Sequence, residues 1–204
     1  MRLRVRSSIR VKGEFMSTTM IAPPAERLTT AEEFQAQPDD GRRTELVRGR
    51  IVEMPPTNFL HGVVCYNAAL ILGSYVKARD LGWVTCNDSG VITRRDPDSV
   101  RAPDVAYFSF QRIPKDSPPK GYPAVAPELV IEVKSPSDRW KEVSAKAGEF
   151  LAAGTIAVCV LDPETRTVGI YTADEFPLRR TADEELTLPG VFPDFRIPVR
   201  QFFE

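Results

Sequence analysis

An α/β fold, a mixed β-sheet flanked by helices in a single domain, is the architecture this sequence predicts, on three observations. The chain has 204 residues, enough to enclose one sizeable core. At 42% hydrophobic and 27% charged, its composition is that of a globular protein. Segments with helical spacing alternate with short β-branched runs in the order helix, hairpin, long helix, several strands, helix, strand, hairpin. Such elements bury their apolar faces by packing helices onto a sheet.

Each element has a local cause. Thr29-Thr30-Ala31-Glu32-Glu33 offers a capping box for a short helix ending near Pro38. Glu45-Leu46-Val47 and Arg50-Ile51-Val52 flank Arg48-Gly49, which reads as a tight hairpin with glycine at the permissive turn position. Residues 59–79 place Leu60, Val64, Ala68, Ile71 and Tyr75 at helical spacing and predict a long amphipathic helix. Strands are expected around 83–94 and 103–108. Residues 111–127 hold five prolines and little periodicity, the mark of an extended loop. A buried strand at 128–134 precedes a helix from about 138 to 153, stopped by Gly154. A second buried strand at 155–161 turns through Asp162-Pro163-Glu164-Thr165 into 167–171, and a proline-punctuated tail follows.

Residues 1–15 differ from the rest, with Arg2, Arg4, Arg6, Arg10 and Lys12 against Glu14 alone. Met16 then opens MSTTM, which reads as a start of its own. The expected organisation is an N-terminal extension over 1–27, disordered through its charge, and one domain over 28–204. A basic arm for nucleic acid is the other reading of the first fifteen residues. Without them 22 basic groups face 27 acidic ones, a net charge of −5, which is a poor basis for affinity resting on phosphate contacts. No apolar run approaches the roughly 18 to 20 residues a bilayer span requires, so no membrane partner is expected. Cys65, Cys86 and Cys159 are far apart and form no CxxC pair. They suggest neither a disulfide framework nor a zinc site and suit a reducing cytoplasm.

The strand PELVIEVKSPSD, residues 127–138, places two charges where a core strand least accommodates them. Alternation puts Leu129, Ile131 and Val133 on one face and Glu128, Val130, Glu132 and Lys134 on the other. Glu132 and Lys134 therefore project side by side, and the free N–H groups of the following helix would favour an anion nearby. Asp104, after Pro103 near the start of another expected strand, can reach the same space.

Pro103-Asp104, 27 intervening residues and Glu132-x-Lys134 resemble the PD-(D/E)xK nuclease superfamily. ELVRGRIVEM, the lone His61 opening a long helix, VRAPDVAYF, PELVIEVKSPSD, KAGEFLAAG and LDPETRTVGIY occur in order. As an ordered set over roughly residues 28–204 they resemble the Uma family of putative restriction endonucleases, bacterial proteins of largely undefined biology. That resemblance implies a restriction-endonuclease-like fold and Mg²⁺-dependent hydrolysis of phosphodiester bonds in DNA, with Mn²⁺ as a substitute. Asp104 and Glu132 would be metal ligands, Glu45 the upstream acidic residue completing the metal site, Lys134 the residue that activates water, and His61 a further catalytic group. Such carboxylates suit a hard cation that lowers the pKa of bound water and stabilises charge on phosphate. The resemblance also implies a homodimer, able to reach both DNA strands. Many relatives carry an apolar residue in place of Lys134, so a uniform catalytic role across the family does not follow. The alternative is a catalytically inactive nuclease-fold binding or scaffold protein, a reading the acidic charge favours.

Each residue also has a structural reading. Glu132 and Lys134 could be an ion pair at the sheet surface, and Asp104 a turn residue. Arg43 and Arg50 could simply neutralise Glu45, and His61 could be a satisfied structural group. Lys146, beside the Val143, Ala147 and Phe150 stripe, is expected to snorkel to solvent rather than point back to the site. Trp83, Trp140 and Phe150 read as core or interface. The glycines form no phosphate-binding pattern.

Overall fold

The computed structural model describes residues 27–38 and 40–204; the expected extension, apart from its last residue Arg27, and the start at Met16 lie outside that range. The Thr30 hydroxyl accepts from the Glu33 amide and the Glu33 side chain from the Thr30 amide, starting α1 (Ala31–Gln35) as the capping box predicts. β1 (Thr44–Val47) and β2 (Arg50–Glu53) form the hairpin. Arg48 and Gly49 at its tip have φ of 51° and 77°, the paired positive values of a type I′ turn. A Cβ on Gly49 would fall 2.6 Å from that of Leu28, so glycine is required twice over.

α2 (Phe59–Ala78) starts at Asn58, whose side chain accepts from the His61 amide at 2.8 Å. Its buried stripe is His61, Val64, Ala68, Leu72 and Val76. The expected stripe was rotated from this: Leu60 is exposed, and Ile71 and Tyr75 are half-buried. The helix is apolar on nearly every side, which leaves periodicity little contrast to read. With a mean hydropathy of 1.5 it is long and apolar enough to cross a membrane, contrary to the expectation of no such run, yet one face packs as a core helix.

β3 (Gly82–Cys86) and β4 (Val91–Arg94) replace the single strand region expected over 83–94. Asn87 and Asp88, at φ of 59° and 58°, break the chain between them and send the two strands into different sheets. β5 (Ser99–Arg101), which sequence patterning missed, pairs with β4 and β1. β6 (Val105–Ser109), β7 (Leu129–Val133), β8 (Ala157–Asp162) and β9 (Thr167–Tyr171) follow, with α3 (Trp140–Ala152) between β7 and β8. β10 (Leu178–Arg180), β11 (Glu185–Leu188), β12 (Phe192–Pro198) and a 3-10 helix (Val199–Phe202) close the chain.

The mixed sheet has six strands in the order β10-β9-β8-β7-β6-β3. β7 and β8 are parallel, joined across α3, and the other neighbours are antiparallel. A four-stranded sheet, β2-β1-β5-β4, and a two-stranded one, β11-β12, lie beside it. Leu129, Ile131 and Val133 face the core that includes Val64, Ala68, Leu72 and Val76 of α2. Val130, on the other face, packs with Ala147 and Phe150 of α3 and with Val158 and Val160. β7 is therefore covered on both sides, and its C-terminal end is where α2, α3 and the small sheet approach one another.

Candidate active site

β6 and β7 are antiparallel with Val105 opposite Ile131, so one further step of the register brings Asp104 beside Glu132. Asp104 lies in the bend before β6 rather than within it. Its Oδ2 accepts from the Val133 amide at 2.7 Å, which fixes the carboxylate against β7. Asp104, Glu132, Glu45, His61, Lys134 and Lys146 all line one cavity of about 530 Å³.

His61, at the start of α2, is 6% exposed, with Nε2 3.5 Å from Asp104 Oδ2 and Nδ1 3.3 Å from Cys65 Sγ. A proton on Nε2 satisfies both contacts: the thiol donates to Nδ1 and Nε2–H points to the carboxylate. Burial opposes the charge of Asp104, but His61, the Val133 amide and Lys146 outweigh it and hold the carboxyl below its ordinary range. Burial, reinforced by Asp104, raises the Cys65 thiol well above its ordinary value, which leaves it a poor nucleophile.

Glu132 meets Lys146, not Lys134. Lys146 Nζ donates to Oε2 at 3.0 Å. Oε1 is also 3.0 Å away but off the hydrogen-bonding direction, so this buried oxygen has an ion-pair neighbour and no hydrogen bond. Burial pushes the Glu132 carboxyl up to about 8; Asp104 and Glu45 add to the rise and Lys146 opposes it. On Lys146 burial is outweighed by the three carboxylates, and its ammonium titrates above its usual range.

Glu45, from β1, is 2% exposed. Oε1 is 3.2 Å from Lys146 Nζ and accepts from the Ala102 amide at 3.0 Å, while Oε2 accepts from Arg101 Nη1 at 2.6 Å. Burial would raise its carboxyl, yet Lys146, Arg101 and that amide hold it below its ordinary value. Both oxygens are thus engaged by protein donors. Arg43 reaches Asp88 instead, at 2.5 Å, and the neutralising groups are Arg101 and Lys146 rather than Arg43 and Arg50.

Lys134 follows β7 directly, and its backbone amide still pairs with Leu161 O. Its ammonium is 3.3 Å from Ser135 O, 3.9 Å from Glu164 and 5.8 Å from the centroid of the Trp140 ring. The side-by-side pair expected of Glu132 and Lys134 does not form. The expectation that Lys146 snorkels to solvent is corrected too, because the Glu132 and Glu45 carboxylates draw its ammonium inward. α3 begins at Trp140 rather than near Asp138, whose carboxylate accepts from the Ser135 amide at 2.8 Å and closes the turn. Trp140 is 46% exposed and not core, whereas Phe150 is wholly buried.

Sequence reasoning passed over Arg101 and Glu149. Arg101 Nε donates to Glu149 Oε2 at 3.1 Å, and Thr93 donates to Glu149 Oε1 at 2.6 Å. A signal existed: Lys146 and Glu149 are three apart, neighbours on one helix face, and Arg101 belongs to the VRAPDVAYF segment that carries Asp104.

The carboxylates of the donor set suit a hard divalent cation, although among the described residues the ligand atoms grouped within 4.8 Å of one another are those of His61, Cys65 and Asp104. Buried carboxylate oxygens are its preferred ligands, and Glu132 Oε1, enclosed yet without a hydrogen bond, is such an oxygen. The fold and this carboxylate-lysine cavity define an α/β protein with a restriction-endonuclease-like core. The family model described as "Putative restriction endonuclease", Uma2, matches residues 31–200, and the chain belongs to that family. Among solved structures it is similar to a "putative nuclease belonging to DUF820" from Anabaena variabilis, with a TM-score of 0.74 and 21% identity over 85% of this chain and 97% of that one. A comparison with curated proteins returned no match.

Proposed function

We propose that this protein is a metal-dependent endonuclease hydrolysing phosphodiester bonds in DNA, with Mg²⁺ as cofactor and Mn²⁺ as its substitute. The observation that carries the reading is the convergence of Asp104 and Glu132 on one cavity, with an oxygen of Glu132 left without a hydrogen bond. Asp104 and Glu132 would hold the cation. Glu45, its oxygens already engaged, would anchor Arg101 and Lys146 rather than bind metal. The bound cation supplies a Lewis acid and a lowered pKa for water.

The chain's own groups complete the site. Asp104 is oriented by the Val133 amide and His61. Arg43, on the cavity wall, has a buried Nε without a hydrogen-bond partner among the described residues, a donor suited to a phosphate oxygen. The partner is DNA, and a second copy of the chain would let two such sites reach both strands. The outer face of α2 suits that copy: Phe59 is 88%, Tyr66 65% and Leu70 52% exposed, with no acidic or basic residue from Phe59 to Val76 other than His61. The test is incubation of the protein with duplex DNA, single-stranded DNA and RNA under Mg²⁺, Mn²⁺ or chelator. Metal-dependent cutting of DNA supports the reading. Binding without cutting under every cation would favour the inactive scaffold instead.

A further inference from the structure

We propose that Lys146 of α3, and not Lys134 of the strand motif, is the lysine that meets the scissile phosphate. This rests on the metal-dependent nuclease reading and deepens it.

The placement follows from the packing of α3 on β7. The helix crosses back between two parallel strands, so it runs antiparallel to β7. Phe150 packs with Val130. One turn earlier on the helix is a shift of about 6 Å, and two residues onward along the strand is roughly 6.6 Å. The residue four before Phe150 therefore lies over the residue two after Val130. These are Lys146 and Glu132, and the ammonium is 3.0 Å from the carboxylate. It is also 3.2 Å from Glu45 and 3.4 Å from the Ala102 carbonyl. The side chain is 19% exposed and lines the cavity, so a ligand entering there can touch it. The ammonium of Lys134 is held by the Ser135 carbonyl, with Glu164 and the Trp140 ring beside it; none of these belongs to the carboxylate cluster.

The geometry gives Lys146 two successive acceptors. Without a cation its ammonium donates to Glu132 and lies against the Glu45 carboxylate, which balances its charge. Asp104 and Glu132 would hold the cation, which would supply a Lewis acid; Lys146 would then turn an N–H from Glu132 to a non-bridging oxygen of the substrate phosphate. In the reaction a water molecule gives one proton to solvent and its oxygen bonds to phosphorus. The P–O bond to the leaving sugar oxygen breaks with its electron pair, and that oxygen takes a proton from solvent. Lys146 exchanges no proton in this scheme. It donates hydrogen bonds as negative charge builds on the phosphate oxygens.

The experiment compares wild type, Lys146→Met, Lys146→Arg and Lys134→Met. Each is assayed for single-turnover cleavage of labelled duplex DNA with Mn²⁺, for Mn²⁺ affinity by electron paramagnetic resonance, and for Tm. Lys146→Met is expected to slow cleavage by about 10²–10³-fold while Mn²⁺ binds as tightly or more tightly, because a competing cation is gone. Lys146→Arg, which keeps a charged donor, recovers part of the rate. Lys134→Met loses at least tenfold less than Lys146→Met. Equal losses, or the reverse order, overturn the assignment and leave the nuclease reading in place. Wild type that neither binds Mn²⁺ nor cuts any DNA brings down both. If Lys146→Met does not fold, the double change Lys146→Met with Glu45→Gln removes the ammonium and one stranded carboxylate together. Measured against Glu45→Gln alone, it carries the same expectations.

Discussion

Lys146 Nζ lies 3.0 Å from both carboxylate oxygens of Glu132 yet is hydrogen-bonded to only one of them. That single relationship joins the helix to the strand. It also leaves one oxygen available.

The first prediction concerns pH. The folded protein keeps a proton on Glu132, whose carboxyl is raised to about 8 from 4.5, that the unfolded chain releases. The contribution of this group is therefore fully present below its unfolded pKa and is lost as pH rises through its folded value. Asp104 and Glu45, both depressed, act at the acid end: their stabilisation is present above their ordinary values and lost as pH falls. Chemical denaturation in chelator should show Glu132 lowering stability between about pH 5 and pH 8. Glu132→Gln should flatten that slope; identical slopes in the two proteins would speak against a strained carboxylate.

Glu45 makes a different prediction. Its side chain is 3% exposed and holds Arg101, Lys146 and the Ala102 amide. Glu45→Gln leaves Arg101 and Lys146 with less compensation and should cost about 3–5 kcal/mol in denaturation. A loss below about 1 kcal/mol, the level of an exposed pair, would remove it as the anchor of the cluster.

Phe150 ties folding to the site. It is wholly buried against Val130, Val158 and Val160, so Phe150→Ala should cost about 3–5 kcal/mol. Because Lys146 is one turn away on the same helix, cleavage should fall by more than the folded fraction does. Cleavage that simply tracks the folded fraction would show that α3 does not set the position of Lys146.

The outer face of α2 predicts self-association. Among the described residues no atom lies within 4 Å of a Cβ added at Gly62 or Gly73, which suits close approach by a second helix. Tyr66→Glu should turn a sedimenting dimer into a monomer with Tm nearly unchanged. A monomeric wild type, or a dimer indifferent to the change, would exclude this face.

Much of the fold was legible because several local signals have one solution. Thr30 with Glu33 can start a helix in only one place, and Arg48-Gly49 can close only a tight hairpin. The phase of α2 was not legible, since Leu60, Ile71 and Tyr75 are as apolar as the residues actually buried. β5 was missed because three residues after a polar turn carry no period. Within the site, Asp104 and Glu132 were brought together by the Pro-Asp…Glu-x-Lys resemblance, and strand alternation gave only the face of Glu132. Lys146 could not be placed, because its inward turn depends on two carboxylates from distant strands. Lys134 misled for the same reason: strand parity gives the face of a side chain but not the partner its flexible end finds.

The most direct measurement is calorimetric titration of Mn²⁺ into wild type, Asp104→Asn and Glu132→Gln, with Tm recorded for each. Wild type should bind at one site, weakened at least about tenfold by either change, which is about 1.4 kcal/mol, while both variants remain folded. Wild type that takes up no Mn²⁺, or three superimposable isotherms, would contradict the metal site and leave Glu132, Lys146 and Glu45 as a structural ion cluster.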